Sequence, residues 1–266
     1  LVTAAALLEE GLGDTTFTCV GSLNAGGLQF HCIDNTAHGE LDLEGALQKS
    51  CNCYFINAAR VLGGQKVLSM AYNLGFGQAQ EFGRGLWASA GDLPTLKDLN
   101  NSRALANFSF GQGELTTTPL QLCAMMNTIA SGGVYTSPEL IEGLVNGDME
   151  LTELSSSASK TIRVMKASTA QTLQKALIST AQEGTARPGT PENGVAGIKT
   201  GTAQTGVFEG EEELLHFWYC GFVCDDFGPR YCVTVLREST PDDGGSTARV
   251  FKKVAEALLA SLKEGN

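Results

Sequence analysis

Two segments near the end of the chain, residues 215–224 and 231–237, are dense in aromatic and β-branched side chains and flank the turn Asp226-Phe227-Gly228-Pro229. Such a pair specifies adjacent antiparallel strands, because these side chains pack well on a pleated surface and a short turn sets the strands alongside one another. A shorter apolar segment at 196–200 precedes them, and residues 248–262 carry helical periodicity after them. A late run of strands closed by a helix has to bury a sheet face under that helix, which makes the chain α+β.

The first two hundred residues read mainly as helices. Residues 1–10 are rich in Ala and Leu and stop at Gly11. Residues 16–20 and 28–33 read as a hairpin around Asn24-Ala25-Gly26-Gly27, after which Asp42 can cap a short helix through Leu43, Ala46 and Leu47. Helical spacing returns at 54–62, ending in Gly63-Gly64, and at 65–74, ending in Gly75-Phe76-Gly77. Residues 78–94 are Gly-rich and aperiodic, the pattern of a long loop. Thr118-Pro119 opens a helix with threonine as cap and proline at its first position, and Gly132-Gly133 closes it. Strands are expected at 134–145 and 149–153, a solvated Ser-rich stretch at 155–159, and a helix at 167–182. There is no internal repeat, and 266 residues suit one domain, 1–266.

Charge narrows the partners. Eighteen basic and 29 acidic residues leave a net −11, which repels polyanions, so nucleic acid is excluded as a partner. No run of apolar residues is long enough to cross a bilayer. The eight cysteines admit two readings. Cys19 with Cys32, and Cys224 with Cys232, flank turns and could form cross-hairpin disulfides in an oxidising compartment, whereas Cys123 fits a helix core. A zinc site drawn from His31, Cys32, His38, Cys51 and Cys53 is disfavoured because no paired C-x2-C spacing supports it, so no metal or cofactor is expected.

Two short motifs carry chemistry. Lys199-Thr200-Gly201-Thr202 ends the apolar segment Val195-Ala196-Gly197-Ile198, placing a fixed cation beside hydroxyls that can bind a carboxylate. Gly201 leaves the backbone open to close approach by a ligand. Ser50-Cys51-Asn52 lies at a junction between helices, where Ser50 or Asn52 could equally be a helix cap. His31, His38 and His216 lack an accompanying G-x-S-x-G elbow, so a Ser-His-Asp triad is disfavoured.

Together the motifs resemble a known family. Gly197-Ile198-Lys199-Thr200-Gly201-Thr202-Ala203-Gln204 resembles the K-T-G-T-A strand of penicillin-binding transpeptidases, and Ser50-Cys51-Asn52-Cys53-Tyr54-Phe55 resembles their S-C-N-x-x-F segment, in family order. Gly75-Phe76-Gly77 and the stretch from Gly111-Gln112-Gly113 through Thr118-Pro119-Leu120-Gln121 to Gly132-Gly133 extend the likeness over nearly the whole chain, most closely to the class B group. The resemblance implies an antiparallel sheet flanked by helices with an all-helical subdomain. It implies D,D-transpeptidase chemistry on peptidoglycan stem peptides, acylation by β-lactams, and a parent protein anchored in the cell membrane on its extracytoplasmic face, with a cell-wall synthesis complex as partner. Ser50 would relay a proton, Asn52 would bind the substrate amide, and Lys199 would supply a positive field. Thr200 and Thr202 would hold the substrate carboxylate, and the Thr202 N–H would form part of an oxyanion hole. A β-lactam-sensing receptor domain and a serine β-lactamase share these motifs.

The family's first motif, S-x-x-K at a helix start, is expected just before Leu1, since the segment from Leu1 to Gly11 resembles the Ala/Leu-rich helix that follows the catalytic lysine. The domain is therefore expected to be incomplete on its N-terminal side and inactive by itself. The literal match Ser157-Ala158-Ser159-Lys160 follows the Ser50 motif and is read as a solvated loop.

Overall fold

The computed structural model describes residues 1–83, 85–141, 143–154, 161–240 and 245–264. Its frame is an antiparallel sheet of three strands, Val195–Glu209, Glu212–Asp225 and Gly228–Thr240, with Glu212–Asp225 in the middle and Val195–Glu209 at an edge. The edge strand runs well past the apolar segment that announces it. Beyond Ile198 no residue of it is fully buried, and from Gly206 onward it is exposed throughout.

Eight helices surround this sheet among the described residues: α1 (Val2–Glu9), α2 (Leu43–Gln48), α3 (Asn52–Leu62), α4 (Gly64–Asn73), α5 (Ser102–Ser109), α6 (Pro119–Ala130), α7 (Ala167–Glu183) and α8 (Gly245–Glu264). Strand alternation divides the central strand between two cores. Cys220 and Phe222 join a core built with α1, α3, α6 and α7, whereas Tyr219 and Val223 join Phe251, Ala255 and Leu259 of α8. The result is α8, then sheet, then the helical part, the α+β arrangement expected. Helix α1 is buried along Ala4, Ala5, Ala6 and Leu7 and contacts α3, α4 and α7, its small side chains permitting close approach. Its last turn also caps α7 from outside: Glu9 accepts from the Lys166 backbone at 2.8 Å and from the Thr169 hydroxyl at 2.5 Å.

Several local expectations need correction. Residues 17–19 do not pair with 28–33. Phe17–Cys19 pairs with Gly39–Leu41, and the hairpin is Ser22–Ala25 with Leu28–His31, turned by Gly26 and Gly27 at φ 58° and 81°. The 78–94 loop contains the hairpin Gln80–Gly83 with Leu86–Ala88. The stretch 134–145 is two strands: Val134–Thr136 pairs with Thr161–Arg163, and Gly143–Val145 with Leu151–Leu154. Helix α5, capped by Asn101, was not foreseen. Ser157 to Lys160 lies outside the described residues.

The segment between α4 and α5 is tied to α6 by one buried side chain. Gln121 is fully buried, and its amide nitrogen donates to the carbonyls of Gly75 at 3.1 Å and Ala90 at 2.8 Å while its oxygen accepts from the Thr118 backbone at 3.0 Å. Replacing it leaves those carbonyls unmet in the interior. Gln121→Ala is expected to cost about 2–4 kcal/mol in urea denaturation and to speed hydrogen exchange across 75–90; a loss below ~1 kcal/mol would contradict this anchoring role.

Candidate active site

The site begins where α2 stops. Cys51 N–H bonds the Ala46 carbonyl at 2.9 Å and Ser50 N–H the Leu47 carbonyl at 3.3 Å, the paired bonds that end a helix through a left-handed residue. That residue is Ser50, at φ 49°, a position glycine usually fills. Backbone strain of this kind costs about 1–3 kcal/mol and collects at functional positions. Neither Ser50 nor Asn52 caps α3, correcting the capping alternative. Cys51 does so, its sulfur accepting from Tyr54 N–H at 3.4 Å.

Sheet parity aims the lysine. A Cβ on Gly197 would stand 2.3 Å from the Phe222 ring, so the edge strand presses its glycine against the helical-side core, and Lys199, two residues on, projects from the same face. Its Nζ donates to Ser50 Oγ at 2.5 Å and to the Thr200 carbonyl at 2.8 Å. Desolvation pulls the ammonium down to about 8, because burial disfavours the charged form.

A residue that the motifs did not mark completes the connection. Thr185 shares a hydrogen bond with Ser50 Oγ at 3.0 Å and another with Thr200 Oγ1 at 3.3 Å. It is held there by the end of α7, where the Thr185 N–H donates to the Gln48 carbonyl at 2.9 Å and any Cβ on Gly184 would meet that oxygen at 2.6 Å. Lys199, Ser50, Thr185 and Thr200 thus form one hydrogen-bonded chain between helices and sheet edge. Gln112, from the Gly111-Gln112-Gly113 stretch, donates to the Thr202 carbonyl at 3.2 Å and braces the strand from the other side. Gly201 is not demanded by packing, since a Cβ would only touch Trp218 at 3.5 Å. A cleft of about 260 Å³ lies against Thr200, Gly201 and Thr202 between Thr185, Trp218 and Ala248 of α8; it touches the hydrogen-bonded chain at Thr185 and Thr200, and Lys199 and Ser50 do not line it.

Asn52 is not in that hydrogen-bonded chain. Its Nδ2 donates to the His31 carbonyl at 2.8 Å, which ties the start of α3 to the strand that leads into Cys32. Around that point the structure gathers sulfur. Cys19, Cys32, His38 and Cys51 bring their ligand atoms within 4.8 Å of one another, a cluster the spacing argument disfavoured and one that gains Cys19 and lacks His31 and Cys53 of the set it considered. All eight cysteines are free thiols. Cys224 and Cys232 are not opposite one another, their partners being Pro229 and Phe222, and Cys123 is only half-buried.

A family model described as the penicillin binding protein transpeptidase domain matches residues 1–256. The chain belongs to that family. It is 30% identical to penicillin-binding protein PbpB of Mycolicibacterium smegmatis over 97% of this chain and 42% of that protein, and 31% identical to PbpB of Mycobacterium tuberculosis over 97% and 40%. It therefore spans well under half the length of these relatives. Among solved structures, penicillin binding protein 3 of Mycobacterium tuberculosis matches with a TM-score of 0.84 at 27% identity, covering 98% of this chain and 61% of that one. The same protein complexed with ampicillin matches at 0.83 and 28%, covering 98% and 60%.

The left-handed backbone at Ser50 has a measurable consequence. Ser50→Gly should be more stable than Ser50→Ala by about 1 kcal/mol, because only glycine relieves the strain while both remove the hydroxyl from Lys199. Paired thermal denaturation of the two variants checks this, and equal stability would refute the strain.

Proposed function

We propose that the chain is the catalytic module of a class B-like peptidoglycan D,D-transpeptidase, acting on D-Ala-D-Ala stem peptides and acylated by β-lactams. Its parent protein would be anchored in the cell membrane and work at the cell wall within a synthesis complex. The observation that carries this reading is the chain of hydrogen bonds from Lys199 through Ser50 and Thr185 to Thr200, set beside a cleft at the sheet edge.

The proposed chemistry is acyl transfer. A serine attacks the carbonyl between the two D-alanines, the terminal D-alanine leaves with a proton on its nitrogen, and the amine of a second stem peptide then takes the acyl group and frees the serine. Ser50 suits the proton relay, because its hydroxyl meets both the Lys199 amine and Thr185 and can pass a proton in either direction. Protonated Lys199 gives the field that holds the substrate carboxylate, with Thr200 and Thr202 as hydroxyl donors. This local cation counts for more in a protein of net charge −11, which otherwise repels an anionic substrate. The Thr202 N–H is assigned one arm of the oxyanion hole, and Asn52, held by His31, the substrate amide.

Ser50 is assigned the relay and not the attack, since Cys53 stands where S-x-x-K requires a lysine. Residues 1–266 alone are therefore expected not to label with a fluorescent penicillin, whereas a version extended upstream labels. Labelling of the shorter chain at Ser50 would overturn the assignment. In the extended version, Lys199→Ala should slow acylation by about 100-fold or more.

The pH dependence has a defined sign. Lys199 loses its proton as pH rises through about 8, so the carboxylate-binding field fades and acylation of the extended protein should fall several-fold from pH 8 to 9. Lys199→Arg, charged throughout, should remove that decline even if its absolute rate is lower. An identical decline in both proteins would show that another group titrates.

A further inference from the structure

We propose that Cys19, Cys32, His38 and Cys51 bind a structural zinc ion beside the Ser50 motif. Three of the six ligand-to-ligand distances match those of a tetrahedral site, and the other three lie within 4.8 Å. Zinc bonds of about 2.3 Å to sulfur and 2.0–2.1 Å to nitrogen place two sulfur ligands about 3.8 Å apart, and a sulfur and a nitrogen about 3.5 Å apart. Here Cys19 Sγ lies 3.6 Å from Cys32 Sγ and 3.5 Å from His38 Nδ1, and Cys32 Sγ lies 3.7 Å from Cys51 Sγ. Three thiols and one imidazole, all mutually within 4.8 Å, are a donor set that zinc prefers.

The surroundings fit the same purpose. Cys19, Cys32 and Cys51 are 2%, 3% and 0% exposed, while His38 is only partly buried and leaves the ion a way in. Backbone N–H groups point at two of the sulfurs, Gly21 at Cys19 and Tyr54 at Cys51, both at 3.4 Å, as outer partners that hold ligands in place. The loop that returns the chain from Cys32 to His38 carries Asp34 and Asn35 consecutively at φ 54° and 53°, backbone that side-chain-bearing residues seldom adopt. The ligands also come from four separate places: a strand end, the exit of the Leu28–His31 strand, the entry to Gly39–Leu41 and the cap of α3. An ion there would staple them together.

A disulfide accounts for less. Cys32 lies 3.6–3.7 Å from each of Cys19, Cys51 and Cys53, so it is the hub of three contacts, while a disulfide would use one of them at about 2.05 Å and leave the imidazole without a role. Cys53 approaches Cys32 and Cys19 but falls outside the group whose ligand atoms all lie within 4.8 Å of one another, so it is a neighbour to the site and not a ligand. With four protein ligands the site has no open position, so the ion is structural and takes no part in chemistry.

Its consequence for the active site rests on the transpeptidase reading: Cys51 lies between Ser50 and Asn52, so the ion would fix the segment that carries both. The binding claim stands without it, and its test uses no penicillin. The 266-residue chain, produced with zinc and purified without chelators, should hold about one zinc by elemental mass spectrometry after dialysis. Replacement by cobalt should give the thiolate charge-transfer and visible bands of a tetrahedral site. Cys32→Ser should lose the zinc while Cys123→Ser keeps it. If Cys32→Ser does not fold, the unaltered protein still decides: Cys19, Cys32 and Cys51 should resist alkylation until a chelator strips the metal, and stripping should lower the melting temperature. Less than about half a zinc per folded chain with no cobalt spectrum, or a disulfide among Cys19, Cys32, Cys51 and Cys53, overturns the proposal. Failure of penicillin labelling in an upstream-extended version that holds zinc would instead count against the transpeptidase reading alone.

Discussion

An ammonium group drawn partly out of water needs partners for its hydrogens, and Lys199 finds two, the Ser50 hydroxyl and the Thr200 carbonyl, on the seam between sheet and helices. Much of the fold can be understood as what brings Ser50 to it. The edge strand must lie against the helical-side core, which requires Gly197 under the Phe222 ring. Helix α2 must end abruptly, which it does through a strained serine, and α7 must end against α2, which Gly184 permits by lacking a Cβ. Two helix ends and one strand therefore converge where the lysine emerges. Because each approach is close to steric contact, the amine and hydroxyl have little room to drift apart.

Elements specified by their own residues were legible before the structure. Asp42 caps α2 and Thr118 caps α6 as expected, and α7, α8 and the main strand pair follow from periodicity and β-branched content. Pairings between distant residues were not legible. Nothing local tells Phe17–Cys19 to take Gly39–Leu41 as its partner in preference to the nearer strand, because the choice is made by Cys19 and Leu41 both entering the core. Helix α5 was missed for a related reason. It spans two turns, carries Ser, Arg and Asn, and is held largely by the burial of Ala106 and Phe108.

The site divides in the same way. Ser50, Lys199 and Thr200 were identifiable because their motifs preserve short-range order, and the structure places all three in one hydrogen-bonded chain. Thr185 and Gln112 act only through tertiary approach, so no spacing marks them, although the glycine before Thr185 was a signal of close packing that went unread. The cysteines show the limit of spacing rules most sharply. Those rules describe ligands paired within one tight turn, whereas Cys19, Cys32, His38 and Cys51 meet because two strand pairs and a helix cap converge.

The tripeptide Ser50-Cys51-Asn52 therefore has three directions built into three consecutive residues. Ser50 reaches Lys199, Cys51 points back into the sulfur cluster, and Asn52 holds the strand before Cys32. A left-handed residue followed by a cap is the local geometry that separates such directions, since it turns the backbone sharply between α2 and α3. The strain at Ser50 then has a structural reason. Glycine would relax the backbone but take the hydroxyl partner from Lys199 and leave it only the Thr200 carbonyl, and a serine in helical conformation would swing the sulfur of Cys51 out of its cluster. Serine at this angle is the choice that serves both ends of the tripeptide, and the contacts of Cys51 and Asn52 keep it there.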